Sequence, residues 1–208
     1  MIKVYLIHKK GLITRLHKVI DLLCTCNMVE DIEIITSENS NLKFSTAAEN
    51  AAILPPDFPH RVISDGNKSL YHKQFRAFEK IAIEGKPAII FEDDVLFDPA
   101  AVDAFITNLH TIPSDWEFCF FGTGCNLKLS GTGFVKNNNK FKSKCTDSMV
   151  IHPVAARIMF NDLKNDKAYM AIDWDLNYRF IKLNTVVYWY EPGITAQGSQ
   201  NGTYPSLC

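Results

Sequence analysis

The chain has 208 residues, 47% hydrophobic and 22% charged, enough to bury one substantial core and too few to require two. Its 22 Lys and Arg against 23 Asp and Glu leave a net charge of −1, so no global basic field points to nucleic acid or an anionic membrane surface. The first apolar stretch, residues 1–8, is too short for a secretory leader, and no later run approaches the roughly 20 residues of a membrane span.

These limits predict one soluble, cytoplasmic domain over residues 1–208. Cys24, Cys26, Cys119, Cys125, Cys145 and Cys208 form no doubled Cys-x-x-Cys pattern, which argues against structural zinc and a thioredoxin-like motif, and favours free thiols.

Residues 3–8 read as a strand, and Ile13, Leu16, Ile20 and Leu23 then repeat at helical spacing. Residues 31–36 read as the next strand. The polar, Pro-containing stretch 37–68, with Pro55, Pro56 and Pro59, lacks a long periodic element and predicts irregular structure beside a substrate site. Ser69 is a predicted N-cap for a helix to Glu84, ended by Gly85 and Pro87. Residues 88–91, Ala-Ile-Ile-Phe, predict a strand buried on both faces.

Asp98-Pro99 starts a helix to about His110. Residues 116–121 read as a strand, and Phe134-Val135 with Phe141 around Asn137-Asn138-Asn139 predict a hairpin or flap. Residues 148–151 form a short strand before a helix from Pro153 through Leu163. Asp173 caps a helix over 174–183, residues 186–190 are the last strand, and the tail from Pro192 is irregular. Strand and helix patterns alternating for most of the length predict an α/β fold with a mostly parallel central sheet flanked by helices.

The signal that carries chemistry is Glu92-Asp93-Asp94, set directly after the buried run Pro87 to Phe91. Ligands of open α/β sheets bind at the carboxyl ends of strands. Alternation along an extended chain sends Glu92 and Asp94 to one side and Asp93 to the other. Two carboxylates on one side make a hard-oxygen site for Mn²⁺ or Mg²⁺ that bridges to a diphosphate. The competing explanation is a solvated acidic loop, but crowded like charges at the end of a buried strand cost stability without a cation.

The string Gly85-Lys86-Pro87-Ala88-Ile89-Ile90-Phe91-Glu92-Asp93-Asp94-Val95, preceded by Ser69-Leu70-Tyr71-His72, resembles glycosyltransferase family 25, the lipooligosaccharide-type galactosyl- and glucosyltransferases related to the collagen galactosyltransferases. Residues 146–151 with Ala155-Ala156, then Ile172-Asp173-Trp174-Asp175-Leu176-Asn177, Glu191-Pro192 and Gln197-Gly198-Ser199-Gln200 continue the resemblance in order. The amino-terminal third departs from it. Where the family carries a polar Asn-Leu-Asp-like motif and an arginine, this chain has Ile7-His8-Lys9-Lys10, with Arg15 as a substitute for the lost positive charge.

The resemblance implies a GT-A fold, a nucleoside-diphosphate sugar such as a UDP-hexose, Mn²⁺, and inversion at the anomeric carbon. It implies a metal held by Glu92 and Asp94, and donor contacts from Ile7, His8, Ser69, His72, Arg76, Asp93, Gln197 and Ser199. It places Asp173 and Asp175 across the cleft as candidates for the base. The expected partners are a UDP-sugar and a glycan or glycolipid acceptor such as lipooligosaccharide, reached by transient contact with the inner membrane surface, and no nucleic acid.

Each residue also has an ordinary explanation. Asp173 and Asp175 suit a helix N-terminus. Ser69 suits capping, His72 a buried histidine, and Arg76 a pair with Glu79 on the helix face. Two rival functions remain at this level. One is a metal-dependent nucleotidyltransferase or phosphohydrolase, of which His8-Lys9-Lys10-Gly11 is a faint echo. The other is a non-catalytic nucleotide-sugar or glycan-binding module.

Overall fold

The computed structural model describes residues 1–38, 40–58, 63–139 and 142–205. Pro59, Phe141 and Cys208, used above, lie outside the described residues. In chain order the elements are β1 (Ile2–Ile7), α1 (Ile13–Leu23), β2 (Val29–Ile35), β3 (Lys43–Phe44), α2 (Ala47–Ile53) and α3 (Asp65–Glu84). Then come β4 (Ala88–Glu92), β5 (Val95–Phe97), α4 (Pro99–Asn108), β6 (Phe118–Phe120), β7 (Gly133–Lys136) and β8 (Ser148–Ile151). The last are α5 (Pro153–Asn165), β9 (Lys167–Ala168), α6 (Ile172–Lys182), β10 (Val187–Glu191) and β11 (Thr195–Gln197).

Seven strands form the central sheet in the order β2-β1-β4-β8-β6-β10-β7. Strands β2, β1, β4, β6 and β10 run one way, and β8 and β7 run against them. The expected mostly parallel sheet flanked by helices is the architecture observed.

Alternation of side chains along each strand sorts the core into two layers. Ile90, Met149, Phe118, Phe120 and Trp189 pack with Phe78 and Ile81 of α3, Ala156 and Met159 of α5, and Phe180 of α6. Ile89, Phe91, Val150, Cys119 and Tyr188 pack on the opposite face with Val19 and Leu23 of α1 and Val102 and Phe105 of α4. Strand β4 is apolar on both faces because helices cover both, as its unbroken run of hydrophobic residues implies.

Several boundaries differ from the sequence reading, each for a local reason. Helix α3 begins five residues earlier than expected, because Ser64 rather than Ser69 is the N-cap and accepts the capping bond from Asn67 N–H. Its other end is as read, with Gly85 in the left-handed region at φ 69°. The stretch 37–68 contains α2, nucleated by a reciprocal capping box between Thr46 and Glu49. Strand β7 pairs antiparallel with β10, while Phe141, the far arm of the expected hairpin, lies outside the described residues. Helix α6 starts at Ile172, so Asp173 lies inside its first turn and Ala171 holds the cap position. The tail is not wholly irregular, since β11 pairs antiparallel with β5 and thereby returns residues 195–199 to the end of β4. Among the described residues no helix is long and apolar enough to cross a membrane.

Candidate active site

Strand β4 ends at Glu92, and β5 begins at Val95, so Asp93 and Asp94 form the turn between them. A cleft of about 610 Å³, part of it open to solvent, lies over this turn. Its walls come from Ile7 at the end of β1 and Lys9 beyond it, Arg15 of α1, Ser69, Leu70 and Lys73 of α3, and Gln197 at the end of β11 with Ser199 beyond it; Glu92, Asp93 and Asp94 form the floor.

The three acids meet different surroundings. Glu92 accepts from Thr146 Oγ1 at 2.7 Å and Gln74 Nε2 at 3.2 Å, both on Oε1. Burial, and next the charge of Asp94, push its carboxyl well above the usual range. Asp93 Oδ2 lies 2.7 Å from His8 Nδ1 and accepts Lys9 N–H at 2.9 Å, with the Arg15 guanidinium 3.9 Å from Oδ1. Asp94 is 5% exposed, and its Oδ2 accepts a long bond from Ser199 N–H at 3.3 Å. Its Oδ1 is buried without a hydrogen-bond partner among the described residues. The Gly198 N–H fixes the Asp94 backbone carbonyl at 2.8 Å.

A buried carboxylate oxygen without a donor is costly unless a cation meets it. No lysine or arginine pairs with Asp94 or Glu92 in any ion pair given by the described residues. The pair therefore has the donor chemistry of a hard divalent-cation site. Among the described residues, no group of three or more His, Cys, Asp or Glu side chains is placed to hold a metal ion, so protein ligands of these kinds here number at most two. An open, two-carboxylate arrangement is what Mg²⁺ or Mn²⁺ takes when water and substrate phosphate complete the shell.

The carboxyl-bearing neighbour that the sequence reading missed is Asp147. It is 1% exposed, its Oδ2 accepts Ser148 Oγ at 2.9 Å, and its Oδ1 has no partner among the described residues. Burial above all, with a contribution from the Asp94 charge, pushes its carboxyl up to about 6. Gly122 makes room for it, because a Cβ there would lie 2.9 Å from Asp147 Oδ2 and 2.7 Å from Ser148 Oγ. Lys73 was also missed. It is a buried lysine whose Nζ donates to Ser69 Oγ at 2.8 Å and sits 3.2 Å from Glu38. Its spacing of four from Ser69 on α3 was the available signal.

The remaining expected residues divide sharply. Ile7, Ser69, Asp93, Gln197 and Ser199 line the cleft together with Glu92 and Asp94. His8 stands behind Asp93 and is 2% exposed. His72 faces a different surface depression, with Nδ1 2.5 Å from Ser40 Oγ, and burial lowers its basicity. Arg76 pairs with Glu79 on the flank of α3.

Asp175 is fully buried, accepting Arg179 Nε at 2.5 Å and the Tyr169 N–H at 3.0 Å. Arg179 is also fully buried and bonds Asp162 and the Lys167 carbonyl. Asp175 thus belongs to a structural ion network beneath α6. Asp173 is half-buried, and burial raises its carboxyl above the usual range. Its carbonyl accepts Ser143 Oγ at 3.1 Å, three residues before the Thr146 that bonds Glu92. Neither Asp173 nor Asp175 lines the cleft itself.

No protein-family model and no curated protein sequence matches this chain. Among solved structures, it is similar to a glycosyltransferase involved in the glycosylation of the major capsid of PBCV-1, with a TM-score of 0.50 and 10% sequence identity. The match covers 95% of this chain and 93% of that one. At that identity the likeness is one of fold.

Proposed function

We propose that this chain is an inverting glycosyltransferase that moves a hexose, galactose or glucose, from a UDP-sugar onto a glycan acceptor of the lipooligosaccharide kind. The observation that carries the reading is the unpartnered, buried Asp94 Oδ1 beside Glu92 on the floor of a cleft at the carboxyl end of β4. The fold shared with a glycosyltransferase supports it, as do the motifs of residues 85–95 and 172–177, which resemble family 25.

In this reading Glu92 and Asp94 hold Mn²⁺ or Mg²⁺. A cation so bound neutralises charge on the departing diphosphate. Arg15, Lys9 and Lys73 supply further positive charge along the wall, and Ser69, Gln197 and Ser199 orient the donor. Asp93 keeps the turn in place through its bonds to His8 and Lys9 rather than holding the cation. The base in this reading is Asp173, whose carboxyl is raised by burial; because it stands outside the cleft lining, the acceptor hydroxyl has to reach it from beyond the donor pocket. Asp175 is excluded from that role by its pairing with Arg179.

The reading is tested by thermal-shift titration of UDP-, GDP- and CDP-sugars with and without Mn²⁺. Stabilisation by a UDP-hexose that requires Mn²⁺ is the expected result. Stabilisation by nucleoside triphosphates alone, with release of phosphate, would move the protein to the phosphohydrolase class.

A further inference from the structure

We infer that Cys125 and Cys145 form an oxidisable dithiol, a redox modification site whose disulfide ties the loop of residues 122–126 to the segment 142–147 beside the carboxylates. The two Sγ atoms lie 3.6 Å apart across 20 residues of chain. The approach is built in. A Cβ on Gly124 would lie 2.6 Å from both Cβ and Sγ of Cys145, so only glycine lets the two loops meet this closely. Gln200 spans the pair, accepting the Cys125 N–H on Oε1 at 3.0 Å and donating Nε2 to Cys145 Sγ at 3.0 Å. Cys125 is exposed and held at φ 54°, while Cys145 is buried.

The inverse exposures assign the order of events. The Cys125 thiolate attacks a sulfur of an oxidant of the glutathione disulfide class, expelling one glutathione thiolate and forming a mixed disulfide. Cys145 then loses its proton and attacks Cys125 Sγ, expelling the second glutathione. Two thiols are oxidised, the oxidant is reduced to two thiols, and the protons leave with them. Burial also pushes the Cys145 thiol up, in keeping with exposed Cys125 as the thiol that meets the oxidant first. The crosslink bears on the carboxylates through short links. Thr146, next to Cys145, donates to Glu92, and Ser199, next to Gln200, donates to Asp94. The inference stands independently of the transferase reading.

The test incubates the folded protein with glutathione disulfide, alkylates remaining thiols, and maps the products by peptide mass. The expected product has one crosslink, Cys125 to Cys145, at a mass lower by two hydrogens, with Cys24, Cys26, Cys119 and Cys208 alkylated once the protein is unfolded in the alkylating buffer. Cys125→Ser abolishes it, and Cys145→Ala retains glutathione on Cys125. Because Cys125 is exposed, the Cys125→Ser arm stands even if Cys145→Ala fails to fold. A lasting glutathione adduct on wild-type Cys125 without crosslinking, or a disulfide to any other cysteine, overturns the inference.

Discussion

The backbone N–H of Glu92 donates to the carbonyl of Asp147 at 3.0 Å, so the two acids face each other where β4 and β8 part. The charge of Asp147 is one of the causes that raise the Glu92 carboxyl, and the Asp94 charge helps raise Asp147. Three carboxyls thus share one poorly hydrated end of the sheet, two of them with an oxygen that no described residue satisfies.

The first prediction concerns pH. Asp147 has a folded value of about 6, above the roughly 3.9 of an unfolded aspartate. The folded chain therefore binds this proton more tightly, and the stability it contributes is complete below pH ~4 and lost as pH rises through about 6. Asp147→Asn keeps an oxygen for Ser148 Oγ and removes the titration. Between pH ~4 and ~6.5 the metal-free wild type should lose on the order of 2 kcal/mol relative to this variant. Urea melts of both proteins across that range measure the difference, and parallel stability profiles would refute the assignment.

Glu92→Gln and Asp94→Asn should relieve like-charge repulsion in chelator and melt no lower than wild type. Both should lose the stabilisation that Mn²⁺ confers on wild type, and sugar transfer should fall by roughly 100-fold or more. Thermal melts with EDTA and with Mn²⁺, beside a transfer assay, separate this from simple unfolding.

The two aspartates of α6 should part company. Asp175→Ala leaves the buried Arg179 without its best partner and should cost about 3–5 kcal/mol in denaturant melts. Asp173→Asn should change stability by less than about 1 kcal/mol and lower kcat while leaving donor affinity intact. Equal loss of stability in both variants would remove Asp173 from the role of base.

Gly198 lies against Asp94, and a Cβ there would stand 2.8 Å from the Asp94 carbonyl and 2.5 Å from Tyr204 Cδ2. Gly198→Ala should push the turn away from the cleft, costing about 1–3 kcal/mol and weakening the Mn²⁺-dependent thermal shift. An unchanged melt and unchanged shift would show that the tail does not support the site.

Much of this arrangement could be read from residue order. The run Ala88 to Phe91 is buried on both faces, and its apolar continuity announced the central strand that delivers Glu92, Asp93 and Asp94. What the sequence concealed is tertiary. Asp147 is a single acid before a short strand, and only the antiparallel pairing of β4 with β8 brings it opposite Glu92. Strand β11 has three residues and no periodicity to detect, yet it carries Gln197 and Ser199 to the cleft. Ser64 capped α3 in place of Ser69 because either serine suits a cap, and the choice rests on where α3 packs. One clue was legible and unused: Asp175 and Arg179 are four apart, the spacing of a helical ion pair.

The central claim is that Glu92 and Asp94 jointly hold a divalent cation against a diphosphate. A crystal grown with Mn²⁺ and UDP tests it most directly by the anomalous signal of manganese. The account expects one peak within coordination distance of both carboxylates, with diphosphate oxygens on its open side. No peak there, with the Asp94 carboxylate turned instead to a lysine or arginine, would contradict it.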